Sequence, residues 1–502
     1  MKKRIDKFQL IGIIVILSTI LSKLLGLLRE VKVAGALGAS VESDAYNVAY
    51  LLIITIFGLF SAAYSNSLMP IAAKLYGENR KQLQKTVNSI VTISVIIMLG
   101  VIVAVYICPT FFVKLLASGM DEETTLLAAS LVKISAWALV ALVILSALVI
   151  VLRIHDIDIY PTITDIVFPI PILIALFLDN ESPTVLISCV VLGYILRGIL
   201  LWIGALKMNF HLRPSFHWKD KNVVSFFVMM PPMLLSSGLL QINTLVDTQV
   251  ASSFGVGSVT ALSQAAKVNS LAYTVFSTSL MQIIYAKMTK AYASGNMTHF
   301  ECIIKKQVKV ILLFIVPCAI ILSLFAKEII QILFLRGNYT VEAAEIAGTI
   351  LSGYAMGLLF LVLRDICIYI FYSVHDSKTP AFISSIAVGV NIILNLVLSR
   401  FIGIKGIAYA TSLSAIFSLL LLLFLMKKRV MPIKLISVKE GISIFVVGVL
   451  DLLLLLQVKS FFRGYNVWFS FVSFAIAFLF FWGTYAVFNS IIKKIRKILY
   501  LS

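Results

Sequence analysis

Fourteen long apolar segments, separated by short polar breaks that contain Gly or Pro, constrain this chain more than any other feature. Each is close to the length of about 20 apolar residues that one membrane-spanning helix needs. The 502 residues are 60% hydrophobic and 13% charged, whereas soluble domains are roughly 45–50% apolar and about 25% charged. We therefore predict an all-α polytopic membrane protein with fourteen transmembrane helices and exclude a soluble fold. The predicted helix cores are 8–28, 47–73, 87–112, 126–152, 160–178, 184–206, 223–250, 259–286, 307–326, 346–373, 380–399, 404–426, 441–457 and 466–490.

The surplus of basic residues has a simple explanation in a membrane protein. The chain has 42 Lys and Arg against 23 Asp and Glu, and cytoplasmic loops of membrane proteins collect Lys and Arg. With the N-terminus in the cytoplasm, 27 of the 42 basic residues fall on the cytoplasmic side and 8 on the outside. We therefore predict that both termini are cytoplasmic, and nucleic acid is not needed to explain the charge.

An internal repeat divides the chain. The pattern at Ala34–Ser40 recurs at Ala251–Gly257, an offset of 217 residues, and Leu68–Met69 recurs as Leu280–Met281, an offset of 212. Six spans separate the copies, so both enter the membrane in the same direction. This predicts two six-helix lobes related by a pseudo-twofold axis along the membrane normal, with two C-terminal helices appended. The predicted parts are 1–206 (first lobe), 207–221 (linker), 222–426 (second lobe), 427–439 (linker) and 440–502 (appended helices and basic tail).

Charged residues inside spans are costly and usually face an interior or a watery cavity. On span 1, Lys23 and Glu30 share a face, with Arg29 one position round the helix. On span 8, Lys267 lies in a polar stripe. Three cations lining one cavity suit a ligand with concentrated negative charge, such as a pyrophosphate. The other residues of the stripe are Ser263, Ser270 and Thr274, and further charges inside the spans are Lys133, Asp165, Arg197, Arg364, Asp365 and Asp451.

Two readings of the polar groups stay open at this point. The cations could pair with Glu30, Asp44 and Asp247 and serve only to hold helices together. The second question concerns Asn391 and Asn395, which share a face of span 11. Their amide oxygens, together with the carboxylate of Asp247, suit a hard cation such as Na⁺. The alternative for these amides is hydrogen bonding between helices.

Prolines predict two irregular spans. Pro169 and Pro171 are expected to interrupt span 5, and Pro231–Pro232 with Gly238 to interrupt span 7. The sequence contains no Ser/His/Asp set, G-x-S-x-G motif or Walker loop, and its five cysteines occur singly. We therefore predict neither an enzyme nor an ATP-driven pump.

Four segments resemble the MurJ/MviN family of the multidrug/oligosaccharidyl-lipid/polysaccharide exporter superfamily. They are SKLLGLLRE (22–30), LGASVESDAYNVAY (37–50), LFLRGNYT (333–340) and FYSVHDSKTP (371–380). The resemblance implies a flippase of the bacterial cytoplasmic membrane that moves lipid II, an undecaprenyl-pyrophosphate-linked peptidoglycan precursor, to the outer leaflet by alternating access. It also implies a groove along the last two helices for the lipid tail, and cell-wall synthesis enzymes as partners.

The resemblance also implies site residues. Lys23, Arg29 and Lys267 match cations of a central cavity, and Glu30 and Asp44 match acidic residues beside them. No other cofactor is implied beyond Na⁺ as a coupling ion. The residues that match a sodium site are Asp247, Asn391, Asn395 and Thr411.

The chain departs from this family in ways that keep other substrates open. Span 2 has no cation at 52–58, where the family commonly has an arginine pair, and lysines stand at 23 and 267 where arginines are common. A serine replaces an acidic residue at Ser270, and Asn395 stands where a carboxylate is seen elsewhere. The alternative substrate is another lipid-linked polysaccharide repeat unit, and a more distant alternative is a cation-coupled drug exporter of the same superfamily.

Overall fold

The structure is a computed structural model that describes residues 7–155, 157, 159–430, 435–461, 473, 476–487 and 490. Helix is the regular secondary structure throughout this part of the chain, because backbone inside a membrane must satisfy its own hydrogen bonds. The helices of the first half are α1 (Lys7–Leu37), α2 (Val41–Glu78), α3 (Arg80–Ile107), α4 (Pro109–Leu116), α5 (Glu122–Ser135), α6 (Ala138–Ile154), α7 (Ile159–Thr164), α8 (Ile170–Phe177), α9 (Pro183–Lys207) and α10 (Lys221–Ser252). Those of the second half are α11 (Ser258–Ala293), α12 (Met297–Leu324), α13 (Ala326–Phe334), α14 (Val341–Ser373), α15 (Lys378–Ile402), α16 (Lys405–Arg429) and α17 (Val438–Phe461). A further apolar helix covers Ile476–Val487.

Within these described residues, eight single helices are long and apolar enough to cross a membrane. The bent pair α5 and α6, which meet at 40°, makes a ninth candidate if it is counted as one span. The predicted class, an all-α polytopic membrane protein, is therefore confirmed by length and composition. The eight are α2, α3, α9, α12, α14, α15, α16 and α17.

The two proline-containing spans behave differently. Span 5 is broken as predicted, because α7 ends at Thr164, α8 begins at Ile170, and a turn over 165–169 separates them. The prediction of an interruption in span 7 is wrong, since α10 continues through Pro231–Pro232. A long membrane helix tolerates the loss of two N–H donors when its remaining hydrogen bonds and a packed neighbour hold it, and α10 packs closely against α2.

Contacts divide the chain into two compact units. Unit 1 comprises Met1–Thr260 and Arg336–Thr340, and unit 2 comprises Ala261–Leu335 and Val341–Ser502. Unit 1 therefore includes α10, which the repeat assigns to the second lobe. Compactness and internal repetition are different properties, and the predicted lobes 1–206 and 222–426 stay a prediction.

The core of unit 1 is built around α2, which packs against α5, α6 and α10. Its start is capped by Ser40, whose side chain accepts from the Ser43 N–H in a capping box. Further along, Tyr64 is fully buried and meets the Phe226 ring of α10 edge-on, with ring centroids 5.0 Å apart. Small and apolar side chains on several faces of α2 thus place it at the centre of the unit.

The short segment Arg336–Thr340 belongs to unit 1 through close backbone contacts with the end of α1. The Asn338 N–H donates to the Gly35 carbonyl oxygen at 2.8 Å. Gly337 has a φ of +55°, and a β-carbon there would lie 2.3 Å from the same oxygen. Only glycine meets both the conformation and the space, so Gly337 allows this segment to pack.

Unit 2 is organised by α14, which packs against α12, α13 and α16, while α15 packs on α16. The appended helix α17 lies along α12 with ion pairs near both of its ends. Lys309 Nζ is 2.7 Å from Glu440 Oε1, and Lys459 Nζ is 2.8 Å from Glu328 Oε1. These pairs fix the register of α17 against the rest of the unit.

Candidate functional site

A cluster of charged and aromatic side chains lies in unit 1, where α1, α2, α9 and the break in span 5 meet. Arg29 is 6% exposed and donates to Glu30 and, at 3.2 Å, to the Tyr50 hydroxyl. Its guanidinium carbon lies 5.1 Å from the Tyr50 ring centroid and 5.2 Å from that of Phe168. The cation is thus held by one carboxylate and two aromatic faces.

A second ion pair joins the break in span 5 to α9. Arg197 Nη2 is 2.5 Å from Asp165 Oδ1, and Asp165 is the first residue of the turn at 165–169. The Asp165 side chain is 43% exposed, whereas that of Arg197 is 15% exposed. Lys23, an exposed residue of α1, is close enough to Asp165 for their charges to attract. Asp165 is therefore paired with Arg197 and attracted by Lys23 as well.

Aromatic packing joins the two ion pairs into one cluster. The Tyr194 ring lies 4.5 Å from the Phe168 ring, centroid to centroid, and Tyr194 interacts electrostatically with both Arg29 and Arg197. A β-carbon at Gly193 would come within 2.4 Å of the Phe168 carbonyl oxygen. Gly193 therefore allows the turn at 165–169 to approach α9 closely enough to bring Asp165 to Arg197.

The cluster has the chemistry of a binding surface for an anion. It holds three cations, Lys23, Arg29 and Arg197, against two carboxylates. Within the described residues, the Nε atoms of Arg29 and Arg197 are buried and have no hydrogen-bond partner. A ligand with several acceptor oxygens would satisfy such donors, and guanidinium groups bind phosphate oxygens in pairs.

Asp44 has different partners from those expected of an acid beside the cavity cations. Its carboxylate accepts from the Gly257 N–H at 2.7 Å, from the Thr260 N–H at 2.8 Å and from the Thr260 hydroxyl at 2.6 Å. These groups belong to the first turn of α11, where N–H donors have no partner within the helix. In this structure Asp44 caps α11, whereas Glu30 contacts Arg29.

The remaining predicted residues fall into two sets. In unit 2, Asn391 Nδ2 lies 3.3 Å from Thr411 Oγ1, and Asn395 Nδ2 donates to Asn391 Oδ1 at 2.9 Å. The structure thus brings three of the four residues of the expected sodium site together. Asp247 is buried on α10 in unit 1, and Lys267 is half-buried on α11 in unit 2. The convergence of Lys267 with Lys23 and Arg29 stays a prediction.

In the sequence, Arg197 and Asp165 stand out as charges inside spans, but nothing there assigns them to the site. The available signal was the position of Asp165 directly before the Pro169–Pro171 break, since a break exposes polar groups on a span. The identity of the partner on α9 was not accessible, because nothing in the sequence indicates which helix packs against the broken span.

The fold defines the class of protein. A solved structure described as a multidrug resistance MATE family transporter of the MOP superfamily, in an inward-facing conformation, matches with a TM-score of 0.68 at 12% identity, covering 83% of this chain and 97% of that one. A structure described as lipid II flippase MurJ in an inward closed conformation matches with a TM-score of 0.83 at 24% identity, covering 96% and 99%. The chain therefore has the fold of these membrane transporters.

Sequence comparison identifies the family. The model of the family described as lipid II flippase MurJ matches residues 33–479, and the chain belongs to this family. The probable lipid II flippase MurJ of Vibrio cholerae is 27% identical over 434 residues, covering 82% of this chain and 81% of that protein. The lipid II flippase MurJ of Thermosipho africanus is 26% identical over 443 residues, covering 87% and 89%. The family's name describes transporters, not enzymes.

Proposed function

We propose that this chain is a lipid II flippase of the bacterial cytoplasmic membrane, which moves the undecaprenyl-pyrophosphate-linked precursor from the inner to the outer leaflet by alternating access. The observation that carries the proposal is the cation cluster of Lys23, Arg29 and Arg197 in unit 1, in a chain of this family. A diphosphate headgroup loses its water on entering a bilayer. The guanidinium and ammonium groups of the cluster would replace that water, because they bind phosphate oxygens. The undecaprenyl tail would stay in the lipid.

The same proposal includes the finer architecture. Fourteen spans in two six-helix lobes, with α17 and the last helix appended, would put both termini in the cytoplasm. The excess of Lys and Arg on that side supports this orientation. Cell-wall synthesis enzymes are the partners expected for a protein that delivers this precursor.

Na⁺ is proposed as the coupling ion. Asn391, Asn395 and Thr411 offer amide and hydroxyl oxygens, which hard cations prefer, and they lie within hydrogen-bond contact of one another on α15 and α16. Each amide also carries an oxygen with two lone pairs, which these side chains can present to an ion after rotation about the last C–C bond. The contribution of Asp247 to this site stays a prediction.

Depletion of the protein in its native bacterium tests the proposal. If the function is correct, lipid II accumulates in the inner leaflet, and a plasmid copy carrying Arg29→Ala fails to restore growth. Accumulation of a different undecaprenyl-linked repeat unit would identify the alternative flippase substrate instead. A cation-coupled drug exporter would tolerate Arg29→Ala and Lys267→Ala, because its cavity would rely on carboxylates and aromatic rings.

A further inference from the structure

The ion pair between Asp165 and Arg197 is open on one side. Asp165 Oδ1 contacts Arg197 Nη2 at 2.5 Å, and the carboxylate side chain is 43% exposed while the guanidinium is 15% exposed. Asp165 also lies in the turn at 165–169, outside any helix, so its position depends on a short irregular segment. Asp165 is therefore the more accessible member of the pair.

The pair leaves hydrogen-bonding capacity unused. Arg197 Nε is buried without a partner among the described residues, and so is Arg29 Nε in the same cluster. A buried donor without a partner is costly, so a ligand that accepts from it gains affinity. Asp165 contacts Arg197 at Nη2 and leaves Nε without a partner among the described residues, whereas a phosphate group has enough oxygens to bind a guanidinium through two nitrogens, Nε included.

We propose that Asp165 is an internal substitute for the anionic headgroup: it occupies Arg197 when no ligand is bound and leaves it when a phosphate group enters, which makes Arg197 a further headgroup-binding residue. This inference rests on the proposed function for the source of the headgroup. The proposed ligand class is a diphosphate ester. Its charge is higher than that of a single carboxylate, so it can displace Asp165 from Arg197.

The neighbouring charges make this exchange feasible. Lys23 attracts Asp165, so the carboxylate keeps a cationic neighbour after it leaves Arg197. Tyr194 interacts electrostatically with both Arg29 and Arg197, and its ring packs against Phe168 of the same turn. Arg29 and Arg197 are therefore joined by the same aromatic pair, Phe168 and Tyr194.

The exchange predicts opposite effects for the two members of the pair. Removing the competitor in Asp165→Asn should tighten binding, whereas Arg197→Gln should weaken it, each by about tenfold or more, and Arg197→Lys should restore part of the affinity. A merely structural ion pair would make both substitutions harmful in the same direction. Because tight binding slows release, Asp165→Asn should also lower KM and kcat for lipid II together.

Binding of farnesyl diphosphate and of inorganic pyrophosphate to the purified full-length protein in nanodiscs measures these effects. The matched control is Glu345→Gln, which removes the carboxylate of an exposed ion pair with Lys327 in unit 2 and should leave binding unchanged. Asp165→Ser is the second competitor variant, and the melting temperature of every variant shows that it is folded. Affinity for farnesyl diphosphate that is unchanged or lower in both Asp165 variants would overturn the proposal, as would unchanged affinity in Arg197→Gln.

Two further comparisons test the source of the ligand and the proposed function separately from the exchange. A preference for farnesyl diphosphate over pyrophosphate supports a lipid headgroup as the ligand, whereas equal affinity overturns that assignment in favour of the free anion. Lipid II flipping by the wild-type protein in proteoliposomes tests the proposed function on its own. If flipping occurs without the predicted affinity changes, only the exchange is wrong; if the affinity changes occur without flipping, only the function is wrong.

Discussion

At the scale of single residues, the structure distinguishes charges that are fully paired from charges that are not. Asp44 accepts three hydrogen bonds from the start of α11, whereas the Nε atoms of Arg29 and Arg197 have none among the described residues. Asp451, in the middle of α17, is fully buried, and neither of its carboxylate oxygens has a hydrogen-bond partner within that same part of the chain. Charged residues that look alike in the sequence, each lying within an apolar segment, therefore have different energetic roles in the structure.

Asp44→Ala should destabilise the protein. It leaves the Gly257 and Thr260 N–H groups buried without an acceptor, at a cost of about 2–3 kcal/mol. The melting temperature in detergent measures this loss. Asp121→Ala is the matched control, because Asp121 caps α5 at an exposed site, where the loss of a cap costs about 1 kcal/mol. An Asp44→Ala effect no larger than that of the control would contradict the capping role.

The Asp121 control also has a predictable pH dependence. A hydrogen bond from the Thr124 hydroxyl lowers the pKa of Asp121. A carboxyl whose pKa is lower in the folded state stabilises the fold above its unfolded pKa of about 4 and loses that contribution as the pH falls through the folded value. At neutral pH the Asp121 cap is therefore fully present, and the comparison with Asp44→Ala is best made there.

Asp451→Leu should raise the melting temperature. The substitution removes two unpartnered oxygens from an apolar contact between helices, which is worth on the order of 1–3 kcal/mol. Asp365→Leu is the matched comparison and should lower the melting temperature, since Asp365 accepts from Arg364 at 2.9 Å and from Tyr273. If Asp451→Leu is as harmful as Asp365→Leu, then Asp451 has a polar partner in the membrane-embedded protein.

At the scale of elements, the broken span 5 is what assembles the cationic cluster. A continuous helix over 159–177 would keep Asp165 and Phe168 on a regular surface, whereas the turn at 165–169 puts Asp165 against Arg197 and Phe168 against Arg29. This arrangement requires a residue without a side chain on the facing helix. Gly193 supplies it at the closest point of approach.

Gly193→Ala should disrupt this contact. The added methyl group would lie 2.4 Å from the Phe168 carbonyl oxygen, so the turn must move, at a cost of about 1–3 kcal/mol. Gly198→Ala, five residues along α9, has open space for its methyl group and should be neutral or stabilising by up to about 1 kcal/mol. Melting temperatures and binding of farnesyl diphosphate compare the two variants. Equal behaviour would show that the close approach at Gly193 does not hold the break in place.

At the scale of the whole molecule, the proposed cargo is charged, so its transfer across the membrane depends on the electrical potential. A potential of 100 mV, negative inside, favours expulsion of a diphosphate with about two negative charges by roughly 4–5 kcal/mol. The same field acts on the cations of the empty protein and draws them toward the cytoplasm. Both effects favour a cycle that exports the headgroup.

Dissipating the membrane potential should therefore slow the flipping of lipid II in proteoliposomes. Valinomycin with equal K⁺ on both sides removes the potential, and nigericin, which removes the proton gradient alone, serves as the control. The rate at which labelled lipid II becomes accessible on the outside measures the effect. A rate that is independent of the potential would mean that the charge of the headgroup is compensated throughout transfer, for example by co-transported Na⁺.

The sequence by itself determined the class of this protein, because the length of an apolar segment can be read from consecutive residues. A run of about 20 apolar residues is typical of a membrane-spanning helix. The sequence also indicated the break at Pro169, since proline acts on its own helix, but it left open whether the cations pair with nearby acids, as Arg29 does with Glu30. Its expectation of a break in α10 failed, because packing against α2 and the remaining helical hydrogen bonds keep that helix continuous.

Only the tertiary structure decided which distant groups meet. That Asp165 lies against Arg197, 32 residues away, and that Asp44 caps a helix more than 200 residues further along, depend on how helices pack. How helices pack depends on the shapes of several helix faces at once. Residues such as Gly193 set how closely two of those faces approach. A charge inside a span can therefore be recognised from the sequence, but its partner, and with it its role, follows from the fold.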